Sequence, residues 1–334
     1  MAKQILTHRE RIETVLAGQR PDRVPVALWR HFPVDDQTPE SLAAAALAFQ
    51  KTYDFDLIKV TPSSSFCLLD WGVSDRWNGA TEGTRDYVTR AIKKPEDWDK
   101  LPRLDPHAGS LGNQIHCLEL LCATVDSSMP VLQTIFSPLS QMKNLVGGDT
   151  LLVHLRRYPE LIHRALRVIT DTTLDFIETL RPLPLAGIFY AVQHAQYGLL
   201  SEAEFTEFGM SYDVEILEAA GRYWLNMVHL HGLNGMFDLV STYPAQVINW
   251  HDRSTPPTLT EARQRYSGTL CGGLERTQTM VLGTPDEVRR EAEDAIRQTD
   301  GLRFILGTGC VLPITAPHAN ILAARRAVES AYTG

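Results

Sequence analysis

The residues of this chain best suited to chemistry sit in short clusters. The most distinctive is Met227-Val228-His229-Leu230-His231-Gly232. In an extended strand, residues two apart share a face. His229 and His231 are therefore expected to project together. Cys310, in Leu306-Gly307-Thr308-Gly309-Cys310, offers a thiolate from the far end of the chain. Two imidazoles and one thiolate are ligands that zinc accepts, and three protein ligands with a free position form a catalytic pattern. The plain alternative is two histidines hydrogen-bonded to neighbours and a small buried cysteine.

Asn249-Trp250-His251-Asp252 forms a second cluster. Asn249 and His251 share a face. His251 beside Asp252 fits a general acid or base, or a fourth ligand, against a strand-end histidine and an aspartate that caps the next segment. Arg30, directly after an apolar run, would clamp a carboxylate or phosphate by a bidentate contact, or form a rim salt bridge. His31, Gln193, His194, Tyr197 and Asn249 complete the candidates for substrate contact. The Gly pairs at 147–148 and 272–273 lack the spacing of a dinucleotide or phosphate loop.

These residues need elements to hold them. Short apolar runs rich in β-branched residues predict strands at Val24–Leu28, Asp56–Val60, Val131–Ile135, Ala186–Ala191, Asn226–Leu230, Gln246–Trp250, Gly268–Cys271 and Arg303–Leu306. Helical signals fall between them. Thr7 with Glu10 and Thr284 with Glu287 read as capping boxes. Pro159 opens a helix to about Leu180, and Ser201 with Glu204 opens another that ends near Gly221. Helical spacing also covers 39–53 and 317–332. Such alternation implies parallel strands with crossover helices. The expected fold is α/β, a (β/α)8 TIM barrel as a single domain over 1–334. An open doubly wound sheet is the alternative. The connection at about 61–129 is too long for one crossover and is expected to be an insertion, with a hairpin around Trp71–Ile92 and a helix from about Gly112. The polar candidates follow the strands: Arg30 and His31 after the first, Gln193, His194 and Tyr197 after the fourth, His229 and His231 at the fifth, Asn249 to Asp252 at the sixth, Cys310 after the eighth. A barrel gathers those ends into one mouth.

Apolar residues make up 44% and charged residues 22% of 334 residues, ordinary for a globular protein. A net charge of −8 without a basic stripe argues against nucleic acid. The first eighteen residues are charged throughout and do not read as a signal peptide. Apolar stretches such as Leu42–Phe49 are too short to span a bilayer. Five scattered cysteines without a CxxC pair fit a reduced compartment, and the expected location is cytoplasmic.

Several stretches, in order, give the chain a likeness. They are Arg9-Glu10-Arg11, Pro21-Asp22-Arg23-Val24-Pro25-Val26, Phe136-Ser137-Pro138-Leu139, Glu207-Phe208-Gly209 and Gly309-Cys310-Val311-Leu312-Pro313. Together they make the chain resemble the uroporphyrinogen decarboxylase superfamily along nearly its whole length. The resemblance implies a (β/α)8 barrel and a homodimer. In its decarboxylases an arginine pair near the first strand, an aspartate after the second, a tyrosine after the third and a late histidine recur. Arg30 matches one arginine, but no second follows. Lys59-Val60-Thr61-Pro62 offers no aspartate. Asn144 stands near the tyrosine position, and Gly309 and Cys310 near the histidine.

The other branch resembles this chain more closely. Its zinc-dependent methyltransferases act with corrinoid proteins and a thiol, and carry His-x-Cys after the fifth strand and a distant Gly-Cys. His229 and Cys310 match, and His231 stands where the first cysteine is expected. The resemblance thus implies one zinc per chain on His229, His231 and Cys310, a corrinoid as methyl donor, carried on a partner protein, and a small-molecule acceptor. A His2Cys site carries one positive charge where Cys2His carries none. His251 or Asp252 would take the released proton, with Arg30 and Gln193 positioning the substrate. Two other readings stay open: a metal-free carboxy-lyase on a polycarboxylate or tetrapyrrole, with His194 or His251 as acid, and a non-catalytic barrel that binds a tetrapyrrole or corrinoid.

Overall fold

The computed structural model describes residues 5–329. Its centre is a curled sheet of seven parallel strands in the order β1 (Ile58–Val60), β4 (Val131–Phe136), β5 (Gly187–Val192), β6 (Met227–Leu230), β7 (Val247–Trp250), β8 (Thr269–Leu274) and β9 (Phe304–Thr308). These match seven of the eight expected runs within a few residues. All seven are buried along their length, as parallel strands covered by helices require. Among the described residues no helix is long and apolar enough to cross a membrane.

The eighth expected run, Val24–Leu28, is not a strand. It makes one parallel bridge, Val26 to Leu306, with Ala27 N donating to Leu306 O and Leu306 N to Pro25 O, each at 2.9 Å. On its other side Asp56 N donates to Val26 O at 2.8 Å. The reason for so short a ladder is local. Pro25 has no N–H to give, and the Val26 N–H is taken by the Asp56 carboxylate at 2.8 Å.

Asp56 is buried and also accepts from Arg11 at 2.7 Å and Arg23 at 2.6 Å, while Arg11 holds Asp22. Burial opposes its charge, yet His8, Arg23 and Arg11 hold its carboxyl below the usual range. The Arg-Glu-Arg and Pro-Asp-Arg-Val-Pro stretches thus form an ion network at the N-terminal end of β1, the end of a parallel α/β fold that serves stability.

Between β1 and β4 lie an antiparallel pair, β2 (Ser74–Arg76) and β3 (Asp86–Thr89), and a helix at Gly109–Thr124. The helix begins three residues before the expected Gly112. Its early amide, Ser110 N, is satisfied by Asp70 Oδ2 at 2.8 Å, a partner forty residues away that no local cap signal reveals. Both complete capping boxes at Thr7 and Thr284 form as expected. The helix from Pro159 runs to Thr179, and the last one covers His318–Ala327; residues 330–332 of that expected helix lie outside the described residues.

Candidate metal centre

Strand register sets the site. Ala191 pairs with His229, His229 with Asn249, and Asn249 with Cys271, so these four form one row across β5 to β8. His231 follows β6 and His251 follows β7, each two residues beyond a member of that row. Cys310 arrives from the turn after β9. Gly309 lets it approach: a Cβ there would lie 2.7 Å from both Trp250 O and His251 Cα. No side chain larger than hydrogen fits without moving the turn.

The outcome is a compact donor set. One donor atom from each of His229, His231, His251 and Cys310 lies within 4.8 Å of all the others. His229 Nε2 is 3.4 Å from His231 Nδ1, which is 3.6 Å from Cys310 Sγ. Zinc bonds of about 2.0 Å to nitrogen and about 2.3 Å to sulfur, set tetrahedrally, require edges of roughly 3.3 and 3.5 Å. His251 Nε2 is buried without a hydrogen-bond partner. Burial alone would raise the Cys310 thiol, but His229, His231 and His251 together hold it well below the usual range. Spacing, an orphaned ring nitrogen and a thiolate all fit a metal ion.

Asn249 has a different task from the expected substrate contact. Its Nδ2 donates to the carbonyls of Cys271 and Thr308, at 2.9 and 3.1 Å. Its Oδ1 therefore faces His229 Nδ1, at 2.7 Å, and must accept. That fixes the His229 proton on Nδ1 and leaves Nε2 free to ligate, the outer-shell role that orients metal-binding histidines.

A cavity of about 100 Å³, partly open to solvent, ends on His229, His231 and Cys310. His251 is not in its wall, so His251 joins the donor set from outside the cavity. Asp252 does not accompany it. The Asp252 carboxylate is buried outside the cavity wall and accepts from Gly273 N at 3.1 Å, and burial pushes it up to about 7.

The other expected contacts divide. His31 and Gln193 line the cavity. Burial, aided by Lys59, pushes His31 down to about 3, so it is neutral, and its Nδ1 has no partner. Gln193 Oε1 accepts from Lys143 Nζ at 2.7 Å. Its own N–H donates to Ser140 Oγ, in the helix that Ser137 of the Phe-Ser-Pro-Leu stretch caps. His194 is buried behind the wall and pushed down to about 3 by burial and Lys143. Arg30 does not face the cavity. Its guanidinium lies over Phe32 and Phe49 and donates to Ile314 O, between the sheet and the helix at Pro39–Tyr53. Tyr197 is exposed and bonds Glu202, away from the cavity.

Several cavity residues escaped the sequence reading. Lys59, in the middle of β1, puts its Nζ 4.6 Å from the centre of the Phe189 ring. Phe189 in turn stacks on His229 at 5.5 Å. A charged residue inside a fully buried strand was the available signal. The hairpin also contributes. Between β2 and β3, Glu82 and Thr84 reach the cavity, Ile314 N donates to Thr81 O, and Glu82 pairs with Arg276 beyond β8.

Comparison with known proteins agrees with this architecture. The chain is 25% identical over 138 residues to the uroporphyrinogen decarboxylase of Schizosaccharomyces pombe, 40% of this chain and 38% of that one. It is 24% identical over 213 residues to the uroporphyrinogen decarboxylase of Syntrophotalea carbinolica, 61% of this chain and 60% of that one. The match thus spans less than two thirds of either relative. Among solved structures, a methyltransferase from Methanosarcina mazei superposes with a TM-score of 0.85 at 15% identity, covering 98% of this chain and 99% of that one. A B12-independent methionine synthase from Shewanella sp. W3-18-1 gives 0.55 at 13% identity, with 93% of each chain covered. At such identities these structures speak for the fold alone. The sequence model of the family Uroporphyrinogen decarboxylase (URO-D) matches residues 7–331, and the chain belongs to that family.

Proposed function

We propose that this protein is a zinc-dependent methyltransferase with a thiol as its acceptor. One observation carries the reading: four donor atoms, three imidazole nitrogens and one thiolate sulfur, lie close enough together to hold a single ion, and three of the four residues line the end of a cavity. His229, His231 and Cys310 would hold the metal, with His251 as a displaceable fourth donor, so that one position could open to the acceptor. Zinc bound there supplies the Lewis acidity that turns an acceptor thiol into a thiolate nucleophile at neutral pH.

The chain's own residues do the rest. Asn249 keeps the His229 proton away from the donor side. Phe136, Phe189 and Val311 give the cavity an apolar wall that keeps water from competing with the acceptor, and the hairpin tip narrows its mouth. A methylated corrinoid on a partner protein is the donor in this reading, and the protein works in the cytoplasm as a homodimer of single-domain chains. The same reading takes the sheet as an eight-stranded barrel closed by residues 24–28, with 61–129 inserted after the second strand. The bridge from Val26 to Leu306 supports it.

A second reading, a carboxy-lyase acting on a polycarboxylate, is favoured by the names of the two curated relatives. Against it, Arg30 is turned out of the cavity.

The test is metal analysis of protein purified without chelators or a His-tag. Close to one zinc per chain is expected, most of it lost in His229→Ala and in Cys310→Ala. Full occupancy in both variants overturns the assignment.

A further inference from the structure

A buried charge normally has a partner, because leaving water costs several kcal/mol unless an opposite charge compensates. Lys59 breaks that rule. Its side chain is almost wholly buried in the cavity wall, and among the described residues its ammonium has no ion pair and no hydrogen bond. Its one polar contact is the face of Phe189. Among the described residues the one carboxylate in the cavity wall, Glu82, is engaged by Arg276. The metal centre cannot serve as a counter-charge: a divalent ion with one thiolate and three neutral imidazoles is itself positive. Cys310 acts on Lys59 as an opposite charge, and a metal held by that sulfur would offset it, leaving positive charge at both ends of the cavity.

Phe189 measures the distance between them. Its ring lies 4.6 Å from Lys59 Nζ and 5.5 Å from the His229 ring, so the ammonium is no farther from His229 than those distances combined. A small molecule lying along Phe189 reaches both ends.

We propose that Lys59 is a specificity-determining residue that binds an anionic group, a carboxylate or its equivalent, at the end of the acceptor opposite the reacting sulfur. The missing counter-charge is then brought by the substrate. Thr61, two residues on, lines the same wall and donates its hydroxyl to Lys59 O at 3.2 Å. Burial disfavours the Lys59 ammonium, and an anion beside it would favour it. This rests on the thiol-acceptor reading above for the position of the sulfur, but not for the anion site.

The experiment has two arms. In the first, cobalt-substituted protein is titrated with 3-mercaptopropionate and with the neutral 3-mercapto-1-propanol, and the cobalt–thiolate absorption is followed. Wild type should prefer the anion by about tenfold or more, the scale of one charge-assisted hydrogen bond. Lys59→Met should lose that preference and keep its affinity for mercaptopropanol. Lys59→Arg should restore part of it. In the second arm, wild-type protein is exposed to an amine-acylating reagent with and without propionate, and acylation of Lys59 is read by mass spectrometry. Propionate should protect Lys59 selectively over surface lysines. Equal affinity for the two thiols in wild type, or preference retained in Lys59→Met, overturns the proposal. If neither thiol changes the cobalt spectrum, the second arm decides: protection keeps the anion site and discards the thiol acceptor, and no protection discards both.

Discussion

The Asn249 side chain is tied on three sides: its amide nitrogen donates to the carbonyls of Cys271 and Thr308, and its oxygen accepts from His229 Nδ1 at 2.7 Å. A flipped amide would set oxygen against two carbonyls, so the direction of the bond to His229 is determined. Asn249→Ala leaves His229 free to rotate and to exchange tautomers. Metal affinity should fall by about 10- to 100-fold, measured by competition with a chromophoric chelator. An unchanged affinity would show that Asn249 does not position the ligand.

Gly309 is the second positioning element. A methyl group there meets Trp250 O and His251 Cα at 2.7 Å, and neither atom belongs to a flexible side chain. Gly309→Ala should cost about 1–3 kcal/mol by overpacking and displace Cys310 from the imidazoles. Urea melts would report the first effect and zinc content the second. A variant with full zinc and lowered stability would mean that the turn yields without moving the sulfur.

His231 tests the charge of the site. His231→Cys replaces a neutral ligand by a thiolate and makes the centre one unit more negative, while keeping a ligand that zinc accepts. A bound thiol should then be less acidic, so its apparent pKa should rise. Thiol affinity against pH, for wild type and variant, gives the shift. Retained zinc with an unmoved pKa would place His231 outside the ligand set.

Asp213 supplies a stability prediction away from the site. It is fully buried and accepts from Tyr190 and Tyr243 at 2.6 and 2.8 Å, yet burial pushes it up to about 7 from 3.8. A carboxyl that is harder to ionise when folded stabilises the fold in its protonated form. That contribution is complete below the unfolded value and disappears as pH rises toward 7. Within that window the slope approaches roughly 1.4 kcal/mol per pH unit for one proton. Asp213→Asn, which stays neutral, should show a flatter loss of stability between pH 5 and 7 in denaturant titrations. Parallel curves would contradict the raised value.

Uroporphyrinogen should not be turned over. Arg30, the one matching anchor, stacks on Phe32 and Phe49 outside the cavity. An anaerobic assay settles the point, and product at about 1 per second or faster, an ordinary enzymatic rate, would restore the decarboxylase reading.

Much of this protein is written in its sequence because the signals are local. Apolar runs of β-branched residues placed seven parallel strands, and capping boxes at Thr7 and Thr284 opened helices where they stand, since both depend only on neighbours along the chain. His229 and His231 could be paired because two-residue alternation is a property of any strand. Only tertiary structure decided what joins them. His251 entered the donor set while Asp252 stayed outside it because the chain turns after β7, and one residue of rotation separates a ligand from a carboxylate on Gly273 N. Arg30, expected at the mouth, lies outside the cavity, while Lys59, to which the sequence reading gave no role, lines it. Cys310 reaches the histidines across almost eighty residues only through the glycine before it. Alternation along a strand tells which side chains travel together, but which face becomes the cavity is fixed only when the strands associate.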